Sequence, residues 1–322
     1  MTAVLRIDGR RRPRATGIRT RGVALLMVVW LLALLTAVIG AFALAARTES
    51  LEGRVLSQGV VADEAARAGL EYAMTRVVEL EPTRQWLPDG RDYAWSFNGV
   101  DVTVNIVDES GKVDLNGADL DLMANLMMAV GERRDRARRL AAAIVDWRDP
   151  DSLSQIEGGA EDPDYESEGL PYGAKDAPFE SIAELQQVQG MTPELFAKLE
   201  PSLTVYSGQA RPNELYAGAP VLKAMGLDPQ RVLAERRRPR LPGETPALVG
   251  AGTGTYSIES RARLRGGRVS ILRAVIRAGN SGVPGSAYTP LRWQAGALAR
   301  DAGPAADPPN RQTQRPGGAS SK

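Results

Sequence analysis

From Val23 to Ala46 the chain runs through apolar and small residues without a single charge, a length that spans the hydrocarbon core of a bilayer as one helix. The pattern then changes. Leu51, Val55, Ala62, Ala66, Leu70, Ala73 and Val77 recur at helical spacing with Glu and Arg between them, which predicts an amphipathic helix from Leu51 to about Leu80. Pro82 and Pro88 end helical character. Next the period falls to two: Tyr93, Trp95 and Phe97 alternate with polar or small residues, Asn98-Gly99 follows, and Val100, Val102, Val104 and Ile106 alternate again. That is a β-hairpin closed by a type I′ turn. A second β region lies far downstream, with Tyr256, Ile258, Ser260 and Ala262, a turn at Gly266-Gly267, then "RVSILRAVIRAG" and an edge strand in "YTPLRWQAG". Between the two β regions, roughly Asp108 to Glu244, helical patterns dominate. Beyond Ala302 the Pro, Gly, Ser and Gln content predicts a disordered tail.

These elements predict an α+β fold: an N-terminal helix packed on an antiparallel sheet that a large helical insertion interrupts in sequence. Composition narrows the chemistry. The 322 residues include no Cys and no His, which removes disulfides, thiolate zinc sites, the Ser-His-Asp triad and the usual general base. A metal here is therefore a hard cation held by oxygen, calcium or magnesium. A net charge of +1 offers no compositional reason to expect nucleic acid or an anionic surface as partner.

The residues before the apolar run carry Arg6, Arg10, Arg11, Arg12, Arg14, Arg19 and Arg21 against one acid, Asp8. The positive-inside rule keeps that end cytoplasmic and exports the bulk of the chain. Three readings compete. A secretory signal would use small-x-small sites such as Ala43-Leu44-Ala45, but has a shorter apolar region. A plain single-pass anchor fits length and orientation. The third reading rests on the Gly22-Val23 junction, where the basic leader meets the apolar helix directly.

A basic leader ending in Gly before a retained hydrophobic helix resembles the type IV prepilins and pseudopilins. The resemblance implies cleavage by a prepilin peptidase between Gly22 and Val23. That family commonly has Glu at the fifth mature position, which here is Met27. A carboxylate in hydrocarbon is costly unless paired, so Met27 suits a subunit that lacks one neighbour. Further landmarks are "VDLNGADLDLMANLM", "AAAIVDWRDPD", "GGAEDPDY" and "PYGAKDAPFESIAELQQVQGMTPELFAKLEPSLTVYS". Their order and spacing resemble the protein K family of the type II secretion system, in which a helical, SAM-like or helix-hairpin-helix-like domain interrupts a pilin-like sheet. The likeness covers most of Gly22 to Ser207 and weakens after Gln209. The expected organisation is a leader over 1–22, the transmembrane half-helix over 23–46, its continuation and first hairpin over 47–107, the inserted domain over 108–245, returning strands over 246–300 and the tail over 301–322.

From Asp149 to Ala174 there is no basic residue, yet Asp149, Asp151, Glu157, Glu161, Asp162, Asp164, Glu166 and Glu168 crowd together. Like charges this close repel unless water or a cation screens them. Read by itself, such a run is ordinarily a solvated loop. It is not an EF-hand: Asp146 and Glu157 have first-to-twelfth spacing, but Arg148 and Pro150 occupy ligand positions and Asp151 replaces the required Gly. The resemblance implies calcium in this region. The ligand candidates are Asp149, Asp151, Glu161 and Asp164, with Asp146, Glu157 and Asp162 as substitutes, and Gly158-Gly159 as the bend. A structural ion would fold a loop of little apolar content.

"LQQVQGMTPELFAKL", Leu185 to Leu199, resembles a helix-hairpin-helix. Its second turn Gly is Thr192, its neighbours are mostly Glu, and no basic stripe accompanies it in sequence, so a packing hairpin is the better reading. The function expected is that of a non-enzymatic minor pseudopilin at a pseudopilus tip. It would sit in the inner membrane with a cytoplasmic N-terminus, work with minor pseudopilins I and J and the secretion platform, and not bind nucleic acid. The alternative is a membrane-anchored periplasmic nucleic-acid-binding protein that uses the Gly190 hairpin. An anchored hydrolase working through the acidic loop ranks last, since no oriented nucleophile or base is present.

Overall fold

The computed structural model describes residues 21–79, 81, 83–156, 158–238, 252–279 and 288–296. The expected leader (apart from its last two residues), Leu80, Pro82, Glu157 and the tail over 301–322 lie outside the described residues. The chain divides into two compact units, Met1–Ser57 and Gln58–Lys322.

Helix α1 runs from Arg21 to Val77. Within it Val23–Glu49 is the one described helix long and apolar enough to cross a membrane, with mean hydropathy 2.7. The later turns turn Ala65, Ala66, Leu70, Ala73, Met74 and Val77 into a core, in keeping with the helical periodicity. The face is built from small residues for a steric reason. A Cβ on Gly69 would fall inside van der Waals distance of Ser260 Oγ and 2.7 Å from Val102 Cγ1. A helical Gly costs up to about 1 kcal/mol in propensity, and here it brings the helix axis down onto the sheet.

Strands β1 (Asp89–Phe97) and β2 (Val100–Asp108) form the expected hairpin. Asn98 and Gly99 have φ of 48° and 77°, the two positive angles that a type I′ turn requires. Two short strands, β3 (Val113–Asp114) and β4 (Leu203–Thr204), pair in parallel; nothing in the hydrophobic pattern announced them. Between them lie α2 (Leu120–Ala129), α3 (Arg134–Arg148), α4 (Asp162–Ser167) and α5 (Pro193–Leu199). Helices α6 (Ala219–Ala224) and α7 (Pro229–Arg237) follow. The chain returns as β5 (Thr255–Arg263), β6 (Val269–Ala278) and β7 (Tyr288–Ala295).

The main sheet has the order β1-β2-β5-β6-β7 and is antiparallel throughout. Strand β2 therefore pairs directly with β5 across the whole helical segment, from Asp101↔Arg263 to Asp108↔Tyr256. The period-two alternation sends Val100, Val102, Val104, Ile106, Ile258, Ala262, Leu272, Ala274 and Ile276 to the α1 side. The helical segment has its own apolar core, which includes Leu115, Met123, Leu126, Ile144, Trp147, Tyr165, Leu185, Leu199 and Leu222.

The helical segment is tied to the sheet at Glu109, which is fully buried. Lys112 Nζ donates to Glu109 Oε1 at 2.6 Å and to Ser257 Oγ at 2.7 Å. The hydroxyls of Thr204 on β4 and Ser257 on β5 also donate to this carboxylate. A buried charge is tolerated only when paired and hydrogen-bonded, as this one is. The hairpin at Gly190 also differs from a pair of α-helices: its first arm, Ile182–Gln187, is 3-10 helix. Thr192 caps α5 by accepting the Leu195 N–H, and Leu195 and Leu199 face the core.

Replacing Gly69 with Val should lower stability by about 2 kcal/mol or more, because the new side chain has no space at the helix–sheet contact. Gly53→Ala, where nothing lies within 4 Å of a Cβ, should change it by under about 1 kcal/mol and in the stabilising direction. Thermal and denaturant unfolding of the full chain in detergent reads both.

Candidate metal centre

Helix α3 ends at Arg148 with Asp149 as its C-cap, so Asp146 and Asp149 leave its last turn together. Pro163 at the start of α4 and the N-cap residue Glu161 bring a third carboxylate to the same place. One oxygen each of Asp146, Asp149 and Glu161 lie within 4.8 Å of one another. Asp146 is fully buried, Glu161 is 4% exposed and Asp149 is half-buried. Asp146 accepts the Gln155 backbone N–H at 3.2 Å. Asp149 Oδ1 and Glu161 Oε1 are buried and accept no hydrogen bond from the described residues.

Carboxylates held this way resist ionisation. Burial pushes Asp146 up to about 6, with the charges of Asp149 and Asp151 adding to it. Glu161 is pushed up to about 7, first by burial and then by Asp146, Asp176, Asp149 and Asp151. Asp149 is raised by burial and by Asp151 and Asp176. Three converging carboxylates with two unpartnered oxygens suit a hard cation. Calcium accepts six to eight oxygens at about 2.3–2.6 Å in flexible geometry.

The predicted residues therefore divide. Asp149 and Glu161 come together, with Asp146 promoted from substitute to member. Asp151 is exposed and accepts the Leu153 N–H at 2.9 Å, although its charge is felt by all three. Asp164 is occupied by capping α4, since its Oδ2 accepts the Glu161 N–H at 3.0 Å. Asp162 is exposed and accepts the Ala174 N–H at 3.1 Å. Glu157 lies outside the described residues. Asp176 was missed. It sits beyond Lys175, outside the base-free run, at a positive φ of 54°. Its spacing from the acidic run carried no signal; the loop's return brings it back.

The loop also carries buried apolar residues of its own. Tyr165 and Ala160 are fully buried, and Tyr165 packs against Trp147 at 5.8 Å between ring centroids. Trp147 in turn stacks on Phe179 at 6.3 Å. This aromatic floor sits in the residues that flank the acids. Gly159 is required above it, because a Cβ there would overlap Asp146 Oδ2 and come within 2.8 Å of Gln155 N.

In chelator, where the carboxylates face only one another, Glu161→Gln should raise the melting temperature of the full chain, because it removes repulsion and supplies a donor. The pH dependence has a defined sign. Both raised groups contribute stability below their unfolded values, and it is lost as pH rises through about 6 for Asp146 and about 7 for Glu161. The metal-free wild type should therefore melt lower at neutral pH than under mildly acidic conditions, and Glu161→Gln should flatten the upper part of that fall. Differential scanning calorimetry over pH reads this.

The family model for Type II secretion system (T2SS), protein K, matches residues 104–208, the span from the end of β2 through the acid cluster to just past β4. The chain is 36% identical over 76 residues to the type II secretion system protein K of Pectobacterium carotovorum subsp. carotovorum, covering 24% of this chain and 23% of that one. It is 26% identical over 206 residues to the protein of the same name from Klebsiella pneumoniae, covering 57% and 62%. The alignments thus span about a quarter and about three fifths of these relatives. In three dimensions it resembles a chain of the GspK-GspI-GspJ complex of enterotoxigenic Escherichia coli, with a TM-score of 0.51 at 16% identity over 79% of this chain and 99% of the other. That likeness extends the shared fold from the matched span to the helix and sheet around it.

Proposed function

We propose that this chain is a minor pseudopilin of type II secretion, a non-enzymatic subunit at the pseudopilus tip that initiates or caps assembly. The observation that carries the reading is the placement of the family-matched span. Residues 104–208 leave the sheet at the end of β2, and the chain rejoins it at β5, directly beside β2. The sheet packs on a helix that also contains a membrane-length apolar segment. A helical body projecting from one sheet end is hard to bury inside a packed fibre, which favours a terminal position. The solved relative is a complex of GspK with GspI and GspJ; by analogy this subunit assembles with the corresponding minor pseudopilins and docks on the inner-membrane platform. The arginines ahead of Val23 keep the N-terminus cytoplasmic and the Gln58–Lys322 unit periplasmic. The SAM-like or helix-hairpin-helix-like description of the inserted helices belongs to the same reading.

Processing after Gly22 by the prepilin peptidase gives Val23 as the mature N-terminus, with Met27 in place of the usual acid. Calcium is the structural ion, held by Asp146, Asp149 and Glu161, with Asp151 and Asp176 adding negative potential. When bound, it neutralises carboxylates that otherwise repel.

Two outcomes test this. Mass spectrometry of the protein from cells with and without the peptidase should find a start at Val23 only where the peptidase is present; a start near Ala46, or an intact Met1 in both, would sink the pseudopilin assignment. Millimolar calcium should raise the melting temperature of wild type by several degrees. Asp146→Asn and Glu161→Gln should abolish that rise, and in chelator neither variant should melt below wild type. Full wild-type stability in chelator with no response to calcium would remove the ion from the account.

A further inference from the structure

The outward face of the main sheet, opposite α1, carries a charge pattern that neither the pseudopilin reading nor the acid cluster uses. Register and alternation place Arg261 and Arg263 of β5, Arg273 and Arg277 of β6, and Arg292 of β7 on this face. Among the described outward positions of those three strands, Glu259 is the single acid. Arg261, Arg273 and Arg292 form a diagonal row. Glu259 pairs with Arg273 and Arg261 with Ile271, while Gln294 pairs with Arg273 and Arg292 with Val275. Successive members are thus diagonal neighbours on adjacent strands, roughly 7–8 Å apart.

The row is short of negative charge. Glu259 serves two arginines, at 2.9 Å to Arg261 and 2.6 Å to Arg273. Arg292 reaches Glu200 only at 3.7 Å, beyond hydrogen-bond distance. The side chains of Arg261, Arg273 and Arg292 keep 35%, 40% and 35% of their surface exposed. Two of them, Arg273 and Arg292, reach a cavity of about 320 Å³ between this sheet face and the helical segment, whose lining also carries Lys112 and the acids Glu109, Glu200 and Glu259; the cavity itself is therefore balanced in charge, and the excess lies along the row, which Arg261 completes. Two of the three N–H groups of Lys112 are used inside the protein, on Glu109 and Ser257.

We infer that this arginine row forms a binding site for an extended acidic segment of a partner protein. The match is one of charge and repeat. Alternate residues of an extended chain project to one side about 6.8 Å apart, close to the diagonal spacing of the row, so carboxylates at every second residue meet successive guanidiniums. Arginine presents a planar fork that takes a carboxylate in two parallel hydrogen bonds, which makes the contact directional. Partial burial at the cavity mouth strengthens the pairing relative to open surface. The site does not depend on the pseudopilin assignment.

The probe is a fluorescein-labelled peptide of alternating Glu and Ser, titrated by anisotropy into the full chain in neutral detergent at low salt. Saturable binding is expected, lost at high salt and absent for an alternating Gln-Ser peptide. Arg273→Gln with Arg292→Gln keeps most of each side chain's apolar stem and should weaken binding about tenfold or more. Arg292→Gln alone, which disturbs only a 3.7 Å contact, should weaken it severalfold with an unchanged melting temperature, and so decides the matter even if the double variant folds poorly. Equal affinity of wild type and Arg292→Gln, or equal binding of the Gln-Ser peptide, would overturn the inference. So would failure of the Glu-Ser peptide together with Arg292-dependent capture by phosphatidylglycerol vesicles, which would assign the row to lipid.

Discussion

The antiparallel ladder between β2 and β5 is the contact on which the rest of this molecule depends. It joins Asp101–Asp108 to Tyr256–Arg263 across the entire helical segment. Closing a loop on the order of 150 residues costs on the order of 4 kcal/mol in chain entropy, and the ladder and the α1-facing core offset that cost. Because β2 ends where β5 begins, both ends of the helical segment are delivered to one end of the sheet. Glu109 stands there and gathers Lys112, Thr204 and Ser257. The same geometry supports the acid cluster indirectly: with Leu115 and Leu203 fixed near the sheet, α3 packs into its own core and presents Asp146 and Asp149 to the loop that carries Glu161.

A near-neutral chain can still hold strongly separated charge. The acids concentrate at the end of α3 and its loop, where burial and mutual repulsion resist ionisation. The arginines concentrate on the outward sheet face, where one glutamate serves two of them. Net charge averages these regions away, so it describes the whole chain and not any one face. Distance along the sequence hides the row, because Arg261, Arg273 and Arg292 sit on three strands and meet only through register.

The parts of the fold with local physical causes were legible in the residues alone. A charge-free run sets a membrane-length helix, a period of 3.6 sets the amphipathic continuation, and Asn98-Gly99 sets the hairpin through two positive φ angles. The β-returning segments announced themselves by alternation and by the Gly266-Gly267 turn. The acidic loop was visible as a place where carboxylates crowd, and the family landmarks lay in the same stretch. Local signals of this kind act within a few residues, which is why they survive without any knowledge of tertiary contacts.

Other features were decided by contacts between distant segments. Gly69 reads as a weak helix residue until Ser260 and Val102 press against it. The two-residue pairing of β3 with β4 has no periodicity to detect, and Glu109 is one acid among many until Thr204 and Ser257 close over it. Within the loop, composition could not separate carboxylates that cap a helix or a turn, such as Asp164 and Asp151, from those left without donors, because that depends on which backbone N–H groups lie nearby. Asp176 comes close enough to raise Asp149 and Glu161 only through the return of the chain. The sequence by itself determined the long elements and where charge would crowd; which charges face one another, and which carboxylates find a donor, was decided by tertiary packing, since electrostatic and steric contacts depend on distance in space and not on distance along the chain.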